Sequence, residues 1–202
     1  MSVRDEFSTV DLVLGSNAET RCVDAFVLSL VKAEKQARRL VTYLVYQFPW
    51  CDQTMVPDLK RALERSTRVY FKGLLAGWNA LYSRSVAELV GNDYAHLRGR
   101  LDAATKHRNK IFHGQLTAHD LSRAELRSFV KDIRAWCEAI GAGAQAEVGY
   151  DGCGNSFRKA GNAAALCARY RMQLEGIAAY RQFIKAHMER RAAQQGDEAD
   201  EA

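Results

Sequence analysis

Proline is scarce in this chain. There are two, Pro49 and Pro57, in 202 residues, against an average usage of about 5%. A β-sandwich or a loop-rich fold would use more, so the scarcity favours long helices. Cysteine is sparse and scattered. Cys22, Cys51, Cys137, Cys153 and Cys167 form no C-x-x-C pair, and their number is odd. That argues against a structural zinc site and against a secreted disulfide framework. Reduced thiols in a cytoplasmic protein are the expectation. No stretch approaches about 18 uncharged apolar residues, so no membrane span is expected. The segment Met1 to Leu14 carries Arg4, Asp5, Glu6 and Asp11 and lacks the apolar run of a signal peptide. His96, His119 and His187 have no ligand spacing with one another or with cysteine, so neither a metal nor another cofactor is expected.

What is present is ordinary globular material. Hydrophobic residues make up 48% and charged residues 26%, enough to bury a sizeable core at this length. The net charge is +5, from 29 Lys and Arg against 24 Asp and Glu. Asp197 to Ala202 holds four of those acids and no base, so the remainder stands at 29 against 20, or +9. A basic body is compatible with a polyanionic partner, but the amount of charge does not name one.

Apolar periodicity predicts an all-α bundle of about five helices. Residues 1–19 read as an irregular lead-in, and Gly15-Ser16-Asn17 as a turn cluster. A first helix is expected from about Thr20 to Phe48, stopping before Pro49. A second runs from Pro57 to Leu89, with Gly73 and Gly77 allowing either close packing or a bend. A third runs from Asp93 to Ile111, with Gly114 as its natural C′ residue. A fourth carries Leu126, Phe129, Val130, Ile133, Trp136, Cys137 and Ile140. Residues 141–161 are glycine-rich, and Glu147-Val148-Gly149-Tyr150 fits a short strand or an ordered loop. A fifth helix is expected over about Asn162 to Arg191. The helical region, residues 20–193, reads as one domain, followed by an acidic tail expected to be disordered.

One residue does not fit its helix. The third helix steps through Leu97, Leu101, Ala104, position 108 and Ile111, so position 108 should face the core or a partner helix. It is Arg108. An unpaired guanidinium in the core costs several kcal/mol, on the order of what a lost buried ion-pair partner costs. Arg108 must therefore be paired, border a cavity or face a wet interface. Asn109 and His113 share a face at i and i+4, and Arg108 lies about 140° around the helix from His113. A structural reading gives Arg108 an ion pair and makes His113 a last-turn capping residue. A functional reading is a phosphodiester site. His113 would move protons near neutral pH, Arg108 would bind phosphate oxygens with two parallel hydrogen bonds, and Asn109 would orient one or the other.

The run Arg108-Asn109-Lys110-Ile111-Phe112-His113 reads R-N-x-x-x-H. It resembles the signature of HEPN-superfamily ribonucleases, an Arg and a His separated by four to six residues with a polar residue after the Arg. With Gly114-Gln115, a short loop and a Ser-Arg-x-Glu-Leu helix start, it looks like the RiboL-PSP-type HEPN branch. The branch with a tyrosine two residues after the histidine is not matched, because position 115 is Gln. The resemblance implies a HEPN-like helical bundle and a metal-independent endoribonuclease. The RNA 2′-OH would attack phosphorus, leaving a 2′,3′-cyclic phosphate and a 5′-OH. It also implies a homodimer with a composite site, RNA as substrate, and a toxin, antiphage or stress role in which an antitoxin or regulatory protein is a candidate partner. The alternatives are a HEPN-like module that holds RNA or protein without chemistry, and a purely structural adaptor. The adaptor predicts that an acidic residue of the same subunit neutralises Arg108.

Lys106, His107 and Lys110 flank the motif as candidate RNA contacts, since phosphate contacts position nucleic acid without reading sequence. The segment Gly149 to Lys159 matches neither a phosphate loop nor a dinucleotide fingerprint. Arg158 and Lys159 are secondary candidates for an RNA groove, with a plain connector as the alternative. Trp78 and Trp136 fall on apolar stripes and are expected in the core. Trp50 follows Pro49 between helices.

Overall fold

The structure, a computed structural model, describes residues 2–113, 121–154 and 157–189. The described residues are helical, with nine α-helices and no strand beyond two isolated antiparallel bridges. The chain divides into two compact units, residues 1–36 with 86–155, and residues 37–85 with 156–202. No described helix is long and apolar enough to cross a membrane.

The first unit contains α1 (Val3–Gly15), the first part of α2 (Arg21–Tyr46), α5 (Val86–Val90), α6 (Tyr94–Phe112) and α7 (Arg123–Val148). The expected irregular lead-in is instead helix α1. Ser2 caps it by accepting from the Asp5 N–H, and Asp5 accepts in return from the Ser2 N–H at 2.7 Å. Such a reciprocal box satisfies two donors that a helix start otherwise leaves bare. Phe7 and Val10 are buried, and the Arg134 guanidinium lies 5.1 Å from the Phe7 ring while pairing with Asp11. Two buried apolar residues make a faint stripe, which is why periodicity passed over this helix.

Helix α7 runs beyond the expected boundary at residue 140. Gly141 and Gly143 are inside it because neighbours press on them. A Cβ on Gly143 would sit 2.2 Å from the Leu89 carbonyl oxygen, and one on Gly141 would sit 3.0 Å from Gln36 Nε2. Gln36 is buried and donates to the carbonyls of Cys137 at 3.0 Å and Asp151 at 2.8 Å. Glu147 and Val148 end the helix rather than form a strand, and Gly149 closes it with φ +77, a left-handed cap.

The second unit holds the rest of α2, α3 (Val56–Glu64), α4 (Phe71–Leu81), α8 (Ala163–Cys167) and α9 (Ile177–Phe183), which widens into one π turn, Ile184–Met188. The helix expected from Pro57 to Leu89 is broken into α3, α4 and, in the first unit, α5. Neither break carries proline. At the first, Arg38 donates to the carbonyls of Leu63 at 3.5 Å and Val69 at 3.0 Å, Val69 bridges Glu189, and Ser66 donates to Glu189. The second break pairs with a gap in the expected fifth helix. Tyr82 bridges Tyr170, Arg171 N–H donates to the Leu81 carbonyl, and Ser83 N–H donates to the Arg169 carbonyl. Both interruptions exchange helical hydrogen bonds for one another's. Gly73 and Gly77 serve close packing: a Cβ at either would collide with Met188, at 2.0 Å and 2.8 Å.

Candidate active site at the end of α6

Helices α6 and α7 form an antiparallel pair. Leu97, Leu101 and Ala104 are buried along α6. Arg100 donates to Asp132 at 2.5 Å and to Ser128 at 3.2 Å, and its guanidinium covers the Phe129 ring at 4.1 Å. Tyr94 meets Trp136 at 5.9 Å between ring centroids. These contacts set the C-terminal end of α6 beside the start of α7. There Ser122 and Glu125 form a second capping box, with a 2.8 Å bond from the Ser122 N–H to the Glu125 carboxylate.

The stripe of α6 changes character after Ala104. Arg108 is half-buried, not a core residue. Its Nε and Nη2 donate to Asn109 Oδ1 at 3.3 and 2.9 Å. Among the described residues it pairs with no carboxylate. The Asn109 backbone carbonyl accepts the His113 N–H at 3.0 Å. Asn109 therefore links the other two, through its side chain to Arg108 and through its backbone to His113. His113 is the C-cap of α6, with φ −86 and ψ 6, and its side chain is exposed. The position expected for Gly114 as a cap lies outside the described residues.

The flanking candidates separate. Lys106 is exposed and Lys110 half-buried. His107 faces α7, with its ring 5.5 Å from the Phe129 ring. Its Nδ1 is buried and has no hydrogen-bond partner among the described residues. Burial, and then the nearby Lys110 charge, pull its pKa below the ordinary histidine value; Glu125 opposes them, and Arg100 adds the smallest push downward. His107 is thus kept neutral more than an open histidine would be, which suits a packing role better than a phosphate contact. The sequence marks His107 only as a flanking candidate for an RNA contact, and the structure turns it onto α7 instead. Phe112, which the sequence reading did not single out, is 65% exposed on the last turn of α6. Its signal was its spacing, four residues after Arg108 and three after Asn109.

The remaining candidates have other positions. Lys159 donates to the carbonyls of Tyr46 and Phe48, the latter at 2.7 Å. Arg158 offers its backbone carbonyl to Gln47 at 3.1 Å. Trp78 and Trp136 are buried. The Trp50 indole N–H is buried without a partner among the described residues. His187 packs against Phe183 at 5.1 Å, and His119 lies outside the described residues. Among the described residues no group of three His, Cys, Asp or Glu could hold a metal ion.

Compared with protein-family models, curated proteins and solved structures, the chain finds no match in any of the three.

Proposed function

We propose that the chain is a HEPN-type endoribonuclease that cuts RNA without a metal ion, as a homodimer with a composite site, in a toxin, antiphage or stress role. One observation carries the reading. Arg108 continues the spacing of the α6 stripe but is half-buried, and among the described residues its guanidinium meets only Asn109, the residue whose backbone holds His113. A structural ion pair, the alternative use for such an arginine, finds no carboxylate among the described residues.

In the proposed reaction the 2′-OH loses its proton and attacks the adjacent phosphorus. The P–O5′ bond breaks, and the departing oxygen takes a proton. His113 acts in proton transfer from its exposed position. Arg108 stabilises the charge that builds on the non-bridging oxygens, a cation aimed at the transition state. Asn109 holds Arg108 in place. A second copy of His113 across a dimer would supply the opposite proton step.

A second reading, an RNA-holding module without chemistry, draws on the same hydrogen bonds. The Nε–Nη2 edge, one of those that grip phosphate with two parallel bonds, is already turned onto Asn109. The two readings part in a cleavage assay on single-stranded RNA in EDTA. The nuclease reading expects His113→Ala to slow cleavage by about 10²–10⁴-fold with unchanged helicity. Equal rates in the variant would sink it.

A further inference from the structure

Few large hydrophobic side chains are exposed among the described residues: Leu12, Val31, Tyr70 and Phe112. Phe112 differs from the rest in its company. With about 100° between successive residues of a helix, its direction falls about 40° from that of Arg108 and about 60° from that of Asn109, between the two. His113 follows it directly. The exposed side chains next to it on α6, Asn109 and His113, are both polar.

An exposed aromatic that meets, among the described residues, no exposed apolar neighbour on its helix is poor material for a protein interface, whose core wants contiguous apolar surface. It is good material for an unpaired base. A phenyl ring offers one flat apolar face to any base, and the groups around it offer hydrogen bonds and positive charge to the sugar and phosphate. We propose that Phe112 is a stacking platform for one unpaired nucleobase of a single-stranded RNA, seating the neighbouring phosphate between Arg108 and His113. This rests on the reading of the same site as an RNA site. It adds a substrate class: strands with a base free to leave its stack, with little preference among the four bases, because each has a π face.

The test is binding, so that cleavage does not intrude. A 2′-O-methyl single strand carrying one 2-aminopurine is titrated into the full chain and its Phe112 variants. Phe112→Leu keeps the apolar bulk and removes the ring. It is expected to weaken binding about tenfold, equivalent to about 1.4 kcal/mol, and to abolish the fluorescence quenching that marks a stacked 2-aminopurine. Phe112→Tyr and Phe112→Trp are expected to retain both. A Phe112→Leu variant that binds and quenches like the parent overturns the proposal. So does a Phe112→Ala variant that changes only the sedimenting mass, since the ring would then be covered by a second copy of the chain. Failure of the parent to bind the strand also overturns it. The nuclease reading fails separately: unmodified RNA would stay uncut while binding still depended on Phe112. Conversely, His113-dependent cleavage that Phe112→Leu leaves intact would remove the platform and keep the nuclease.

Discussion

The ends of α2 and α6 make an instructive pair, because each has a cation close by. At the end of α2 the cation is consumed. Lys159 arrives from more than a hundred residues later in the chain and donates to the Tyr46 and Phe48 carbonyls, with its ammonium 4.7 Å from the Tyr46 ring. The Cys51 N–H takes the same Phe48 carbonyl at 3.0 Å, and the Cys167 thiol meets the Gln47 carbonyl at 3.6 Å. Buried Phe157, two residues before Lys159, packs on Tyr43 and Tyr46. Burial lowers the Lys159 pKa, and Cys51, Cys167 and Asp52 partly counter it. This end is closed, and its lysine serves the fold. At the end of α6, Arg108 spends its hydrogen bonds on the next residue, His113 stands exposed, and Phe112 faces solvent. Lys159 meets two backbone carbonyls, whereas Arg108 meets, among the described residues, one neighbouring amide.

The largest expected effect breaks the open end. Arg108→Ala should lower RNA cleavage by about 10²–10³-fold, the usual cost of losing one transition-state donor, while thermal melting stays close to the parent. Melting that collapses with activity would make Arg108 a fold residue like Lys159. The reciprocal change is Lys159→Met. It removes the donor to the Tyr46 carbonyl, while Phe48 keeps the Cys51 N–H, and should cost about 1–3 kcal/mol of stability, read by urea denaturation, while cleavage well below the transition stays at the parent rate. Loss of cleavage without loss of stability would erase the contrast between the two ends.

A smaller effect sharpens the α6 end itself. Asn109→Ala removes the amide that holds Arg108, about one ordinary hydrogen bond of about 1 kcal/mol. Cleavage should fall several-fold, less than for Arg108→Ala, and a fall as large as that of the arginine variant would make Asn109 more than a positioning residue. The smallest effect concerns His107. Its pKa is lowered in the folded protein, so the unfolded chain binds the proton more readily. Stability from this group is present above the unfolded histidine value, about 6.5, and is lost as pH falls from there toward the folded value. His107→Phe keeps a ring against Phe129 and removes the titration. Its melting temperature should decline less than the parent's between about pH 7 and about pH 5; parallel declines would contradict the packing assignment.

The sequence made some of this legible and hid the rest for physical reasons. Helix α2 was read within a few residues, because its apolar spacing is dense and Pro49 follows it. The breaks at residues 65–70 and 168–176 were not, because tertiary hydrogen bonds from Arg38 and between residues 81–83 and 169–171 make them. Helix α1 announced itself only through Ser2 and Asp5. The anomaly of Arg108 was visible as a charge on a stripe. Whether an acid answered it was not, since the partner of a buried charge comes from elsewhere in the chain. Phe112 and His107 were hidden by one fact: a helix that turns its last face from core to solvent can half-bury a histidine and expose a phenylalanine.

The central claim is that the α6 end cuts RNA through the substrate's own 2′-OH. The most direct measurement is the chemical nature of the ends formed when the full chain meets a single-stranded RNA in EDTA. A 2′,3′-cyclic phosphate on the upstream fragment and a 5′-OH on the downstream one, produced by the parent and lost with His113→Ala, is the predicted result. Fragments ending in a 3′-OH, or cyclic-phosphate ends formed equally by the variant, would contradict it.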